Sequence, residues 1–124
     1  MSWKDDIIES LKFGIVDMFV LLLLSEKDIY GYQIKKEIEG RTNKVFTFKE
    51  GTLYGPLYRL EERGFISSRK EPSGKRFIKY YHIEPSGREY LEFTLKNYEE
   101  ITDATKAFIT MSKEKANNEA KEWM

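Results

Sequence analysis

The chain contains no cysteine. Disulfides, thiolate chemistry and cysteine-ligated metal centres are therefore excluded, and a reducing compartment fits. Its one histidine, His82, lies in an aromatic stretch. No Asp/His/Cys cluster at metal-ligand spacing accompanies it, so packing is expected of it rather than catalysis. Gly-rich phosphate loops are absent as well. Glu61-Glu62 and Glu99-Glu100 are adjacent on helical segments. Neighbours one residue apart on a helix do not converge, so they make poor acid/base dyads. Neither an enzyme nor a cofactor is expected, and metal ligands are not found. The longest apolar run, Met18–Leu24, falls well short of the roughly 20 residues that span a bilayer. The opening MSWKDDIIES has no basic start leading into an apolar stretch. A cytoplasmic protein with no membrane segment is the expectation.

Net charge is absent too: 21 Lys/Arg balance 21 Asp/Glu. The balance hides a segregation. Residues 1–43 carry six basic and eight acidic side chains, residues 44–83 nine and four, and residues 84–124 six and nine. The middle third is therefore basic, at +5, between acidic flanks. Binding of a polyanion responds to local potential rather than to the total. At 124 residues, with 40% hydrophobic and 15% aromatic side chains, the chain can build one core and carry an appended oligomerisation helix.

Periodicity gives the order of elements. Leu11 to Leu24 is apolar almost all round, as a buried helix is. Asp28 is placed to cap a second helix, in which Tyr30, Ile34 and Ile38 form one stripe and which Gly40 ends. A third helix is read over Glu50–Arg63, with Leu53, Leu57 and Leu60 inward and Gly64 after it. The pattern then alternates. Phe65–Lys70 and Arg76–Ile83 read as strands around a turn at Pro72-Ser73-Gly74-Lys75. Ser86, with Glu89 three residues on, has the pattern of a capping box for a long helix to about Met111. Its seam of Leu91, Leu95, Tyr98, Ile101 or Thr102, Thr105 and Phe108 has nothing left in the chain to cover it, and a partner chain is the economical answer.

Three helices, a β-hairpin and a long helix make an α+β, mainly helical fold: a winged helix-turn-helix with a long C-terminal dimerisation helix. Residues 1–84 are read as an N-terminal helix plus the winged DNA-binding domain, 85–112 as the dimerisation helix and 113–124 as a polar, frayed tail. Helix three is the candidate recognition helix, presenting Lys49, Gly51, Thr52, Tyr54 and Arg59. The hairpin adds Arg69, Lys70, Lys75, Arg76 and Lys79, of which Lys75 and Arg76 at the tip are the leading phosphate contacts.

The stretch Gly51-Thr52-Leu53-Tyr54, Leu57-Tyr58-Arg59-Leu60-Glu61 and Gly64-Phe65-Ile66 resembles the GTLYPAL…RLE…GLI signature of the PadR family of bacterial transcription regulators. Tyr30-Gly31-Tyr32 resembles its HGYE segment, which adds Tyr32 to the candidate DNA contacts. Arg76, Lys79-Tyr80-Tyr81, Ile83 and Pro85-Ser86-Gly87 resemble its second wing strand and the turn after it. The chain departs from the pattern twice. Lys49-Glu50 stands where the family has Ser/Thr-Pro, so the cap is lost or comes from Thr47. Gly55-Pro56 puts the proline one place deeper, where a kink is expected.

The resemblance implies a homodimer braced by the N-terminal helix, a double-stranded DNA operator as partner, and a repressor released by a small aromatic or phenolic effector. The implied effector pocket has Tyr98 as its aromatic, with Met18, Leu22, Leu95 and Thr102 lining it. The alternative is a winged-helix ligand-binding or protein-interaction module with weak or no specific DNA binding.

Overall fold

A computed structural model describes residues 2–49 and 51–122. Its order is α1 (Trp3–Lys12), α2 (Ile15–Glu26), β1 (Ile29–Tyr30), α3 (Gly31–Arg41), α4 (Tyr54–Glu62), β2 (Ile66–Ser73), β3 (Arg76–Ile83) and α5 (Pro85–Glu122). One compact unit ends at Leu91, and a second, helical one begins at Glu92. The expected architecture is present: three helices packed on a small sheet whose hairpin is the wing, followed by a long helix. No helix among the described residues is long and apolar enough to cross a membrane.

The apolar segment around Leu11–Leu24 is not one helix. Gly14 adopts φ +82, and the chain breaks there between α1 and α2. Leu11 and Phe13 are exposed, whereas Val20, Leu21 and Leu24 of α2 are buried to 1% or less. All of α1 lies outside the core, its Trp3, Ile7 and Leu11 exposed at i, i+4, i+8. Apolar content alone did not separate the two segments. The core itself joins α2 to Ile34 and Ile38 of α3, Leu57 and Leu60 of α4, and Ile66, Tyr81 and Ile83 of the sheet.

Asp28 does not cap α3. Tyr30 occupies that position, its backbone N–H donating to Gln33 Oε1 at 3.4 Å. Ile29 and Tyr30 instead form a third strand, antiparallel to β3, with Ile29 opposite Tyr81 and Tyr30 opposite Tyr80. The sheet order is β1-β3-β2. Asp28 is thereby left beside the sheet. Its Oδ2 accepts from Arg69 of β2 at 2.7 Å, and its Oδ1 lies 2.7 Å from His82 Nδ1 of β3. The hydrogen bond to His82, then the one from Arg69, holds the Asp28 carboxyl below the usual carboxylate range. Gly40 stays inside α3, which ends at Arg41. The chain turns at Asn43 and Lys44, both at positive φ, a conformation asparagine tolerates.

The hairpin is longer than its sequence signals suggest. Pro72 and Ser73 belong to β2, opposite Phe77 and Arg76, and the turn is Gly74-Lys75. Proline is admissible there because β2 is an edge strand. At the base of the wing, Phe65 stacks on Tyr90 at 4.5 Å between ring centroids. Ser86 does not cap α5. Its hydroxyl donates to the Gly64 carbonyl at 2.8 Å, and Pro85 opens the helix, where a missing N–H costs nothing. Gly87 sits so close to the wing that a Cβ would lie 2.1 Å from the Phe65 carbonyl oxygen and 3.0 Å from Ile83 Cγ1. The helix also runs on beyond Met111, through Lys113 to Glu122. No Gly or Pro follows Gly87, and Lys115-Glu119 are among good helix formers at i, i+4 spacing. Residues 123–124, the end of the expected tail, lie outside the described residues.

Gly87→Ala is expected to destabilise the protein by about 1–3 kcal/mol, because the clash is with backbone that cannot move aside; urea unfolding reads this as a lower midpoint at unchanged slope. Asp28 titrates below its unfolded value, so the stability it contributes is complete above about pH 4 and is lost as pH falls through the lowered folded pKa. Asp28→Asn is therefore expected to unfold at lower urea than the parent at pH 5–7, with the gap closing towards pH 3. A gap that persists undiminished at pH 3 would rule out this carboxylate as its source.

Candidate nucleic-acid interface

Helix α4 starts four residues later than its periodicity suggests. Its N-cap is Leu53, with no side-chain cap, and its first helical bond runs from the Leu57 N–H to the Leu53 carbonyl at 3.3 Å. Residues Gly51–Leu53 are turns, while Glu50 lies outside the described residues. Thr47 caps nothing. Thr52 turns back, its hydroxyl donating to the Lys49 carbonyl at 2.6 Å. Gly51 has φ +83 with open space where a Cβ would be, so glycine serves the bend there rather than a close approach. The late start also corrects the expectation of a kink at Pro56. Proline is the third residue of α4, where the N–H has no partner within the helix.

Tyr32, Lys49, Gly51 and Tyr54 come together. With Lys35, Gly31, Leu53 and Leu57 they line an open depression of about 370 Å³ between the start of α3 and the turn before α4. A second groove, of about 480 Å³, shares Gly31, Tyr32 and Tyr54 with the first and extends to Arg76, Phe77, Ile78 and Lys79 of the wing. Six of the nine expected contacts thus border one continuous surface. Its cations are Lys35, Lys49, Arg76 and Lys79, and no acidic side chain lines it among the described residues. Tyr32 and Tyr54 are 58% and 66% exposed.

The other three expected contacts lie elsewhere. Lys75 is at the hairpin turn, exposed, outside the groove. Thr52 is exposed but spends its hydroxyl on Lys49. Arg59 lies one turn beyond Gly55 and faces α2, pairing with Asp17 at 3.2 Å. Burial raises the Asp17 carboxyl above its ordinary pKa even though Arg59 opposes the shift, so desolvation outweighs the pair. Arg59 is therefore a partner that Asp17 needs rather than a free cation of this surface.

Sequence reasoning missed Lys35 and Phe77. Lys35 follows Tyr32 by three residues on α3, a spacing that places both on one face. Phe77 alternates with Tyr81, which also pointed to the groove side, but strand aromatics read equally well as core. Lys79 reaches Glu61 of α4 at 3.5 Å, and Ser68 donates to the same carboxylate, so the wing is tied to α4. Burial raises the Tyr81 hydroxyl pKa, with Glu61 and Tyr54 adding to it, consistent with a neutral phenol under this junction.

The seam residues divide between the two units. Leu91 is 7% exposed, already covered within its own chain, so it belongs to the core of the first unit and not to an open seam. In the second unit Leu95 and Thr102 are half-buried, Tyr98 is 39% exposed, and Ile101 and Phe108 are 65% and 73% exposed. Thr105 is exposed and returns its hydroxyl to the Ile101 carbonyl at 2.6 Å. Of the residues implied for an effector pocket, Met18 is 4% exposed in the core, and Leu22 lines a cavity of about 340 Å³ between α2 and α3.

The chain is similar to known proteins in sequence and in fold. The Transcriptional regulator PadR-like family matches residues 20–93. An uncharacterised protein of Lysinibacillus sphaericus is 38% identical over 109 residues, covering 86% of this chain and 94% of its own. The structure of a transcriptional regulator from Clostridium thermocellum is 35% identical with a TM-score of 0.74, over 80% of this chain and 97% of that one. Bacillus subtilis PadR, solved in complex with operator DNA, is 27% identical with a TM-score of 0.60, over 65% of this chain and 46% of that one. The family is one of regulators, not of enzymes. With the winged head in place and the family match running over residues 20–93, the chain belongs to the PadR-like family of transcriptional regulators.

Proposed function

We propose that this regulator is a homodimer that binds a near-palindromic DNA operator and represses transcription by occupying it. The observation that carries the reading is the continuous groove bordered by Tyr32, Lys35, Lys49, Tyr54, Arg76 and Lys79, without a lining carboxylate among the described residues. Lysine and arginine there neutralise phosphates and release counterions, which supplies sequence-independent affinity. The tyrosine hydroxyls and the exposed first turn of α4 reach base edges or phosphates, the contacts that give register and specificity. The Bacillus PadR complex with operator DNA supports the same partner for this chain.

The dimer reading rests on Ile101 and Phe108, exposed apolar side chains seven apart on α5. Two heads related by a two-fold axis would read half-sites about one helical turn apart, roughly 34–36 Å. A neighbouring stripe of α5 carries Leu95, Tyr98 and Thr102 at i, i+3, i+7, and a small planar aromatic compound is the effector class we propose for it.

Fluorescence anisotropy on duplex DNA from immediately upstream of the coding sequence tests the DNA reading. Tyr54→Ala with Arg76→Ala is expected to weaken binding and to lower the log–log salt slope by about one unit for the lost phosphate contact. Unchanged affinity and slope would overturn the proposed interface, and no binding by the parent at low salt would favour a protein- or ligand-binding module. Phe108→Glu is expected to yield monomers in sedimentation, since a charge would have to enter an apolar interface. A dimer that survives this change must use another surface.

A further inference from the structure

Phe77 is 70% exposed on β3, directly opposite Pro72, which is exposed on β2. Phe77 does not stand singly on the surface, because it and Pro72 face each other across the strand pair as one apolar ridge. Side chains alternate along a strand. Tyr81 and Ile83 are buried against the head, so Phe77 and Lys79 point to the same side. On β2, Ile66 is buried and Ser68 reaches Glu61 of α4, which puts Lys70 and Pro72 on that side too. This is the face turned towards α4, where Phe77 borders the groove with Tyr32 and Tyr54.

Cations ring the apolar pair. Lys70 and Lys79 stand behind it on its own face, with Lys75 and Arg76 beside it at the tip. The one nearby carboxylate on the hairpin, Glu71, belongs to the opposite face and is held by Arg69 at 2.7 Å. Charge complementarity selects a polyanion over a second copy of the same basic wing, which would repel it. An apolar ridge ringed by cations matches the proteins that push a side chain between base steps from the minor groove while lysine and arginine hold the flanking phosphates.

We infer that Phe77, backed by Pro72, is a wedge that the wing inserts into the minor groove of duplex DNA, partly unstacking one base step. This rests on the DNA-binding reading above and adds a source of specificity to it. Pyrimidine–purine steps such as TA and CA/TG unstack readily and stiff A-tracts resist, so the wedge selects operators by deformability where no hydrogen bond reads a base. Pro72 restricts the backbone behind the ring and keeps the tip from yielding instead of the DNA.

The test uses the full chain and the same upstream duplex, labelled at its two ends for energy transfer, with the parent, Phe77→Ala, Phe77→Leu and Lys75→Ala. The parent is expected to bend the duplex. Phe77→Ala should bind on the order of tenfold more weakly and leave the DNA straighter, with its salt slope unchanged. Phe77→Leu should keep most of the bend. Lys75→Ala should keep the bend and lose about one unit of salt slope. A parent that binds without bending, or a Phe77→Ala variant that bends and binds as the parent does, overturns the wedge and leaves DNA binding standing. A parent that binds no duplex at low salt overturns both.

Discussion

Two residues of antiparallel pairing, Ile29 and Tyr30 against Tyr81 and Tyr80, form the joint on which the head depends. Because α3 begins at the next residue, this pairing sets where Gly31 and Tyr32 stand relative to the wing. So short a strand has little stability of its own. It is reinforced by burial of Ile29 and Tyr81, by the edge-on contact of Tyr30 with Tyr80 at 5.7 Å, and by Asp28 reaching both wing strands. From the other side Glu61 holds Ser68 and Lys79. The wing is thus gripped at its base by α4 and by the segment before α3, while residues 72–77 extend beyond both grips.

The same contacts explain how a chain without net charge presents a basic surface. Acidic side chains of the head are drawn into pairs away from the groove: Asp17 with Arg59, Asp28 and Glu71 with Arg69, Glu26 and Glu37 with Arg41. Apart from Asp17, which is largely buried and needs its partner, these pairs are exposed or half-exposed and contribute little stability each. Their effect is on where the remaining charge appears. Lys35, Lys49, Lys70, Lys75 and Arg76 form no ion pair among the described residues, and all five lie in or beside the groove and wing. Arg59 is neutralised by Asp17 of α2, and Arg69 by Asp28 and by Glu71 of its own strand.

Much of the head was legible because its signals are local. The stripes Ile34–Ile38 and Leu53–Leu57–Leu60, the alternation of Arg76–Ile83 and the turn glycine Gly74 each encode an element within a few residues. The misplaced boundaries share a cause. Asp28 and Ser86 have the chemistry of helix caps, and each instead bonds a residue far along the chain: Asp28 to Arg69 and His82, Ser86 to Gly64. Local patterns cannot weigh a cap against a distant partner. Pro56 was misjudged for a related reason, since its cost depends on where α4 begins, and Gly51 and Thr52 move that point forward.

By itself the sequence determined the absence of cysteine chemistry, the order of helices and wing, the basic middle third and the signature residues of helix α4, because composition and short-range periodicity do not depend on packing. Only the tertiary structure decided which cations share a surface. Lys35 and Phe77 join Tyr32, Tyr54, Arg76 and Lys79 because β1 pairs with β3 across about fifty residues of chain, whereas Arg59 and Leu91 are taken up by contacts within the head. Direction is a property of packing, and a side chain's type does not carry it.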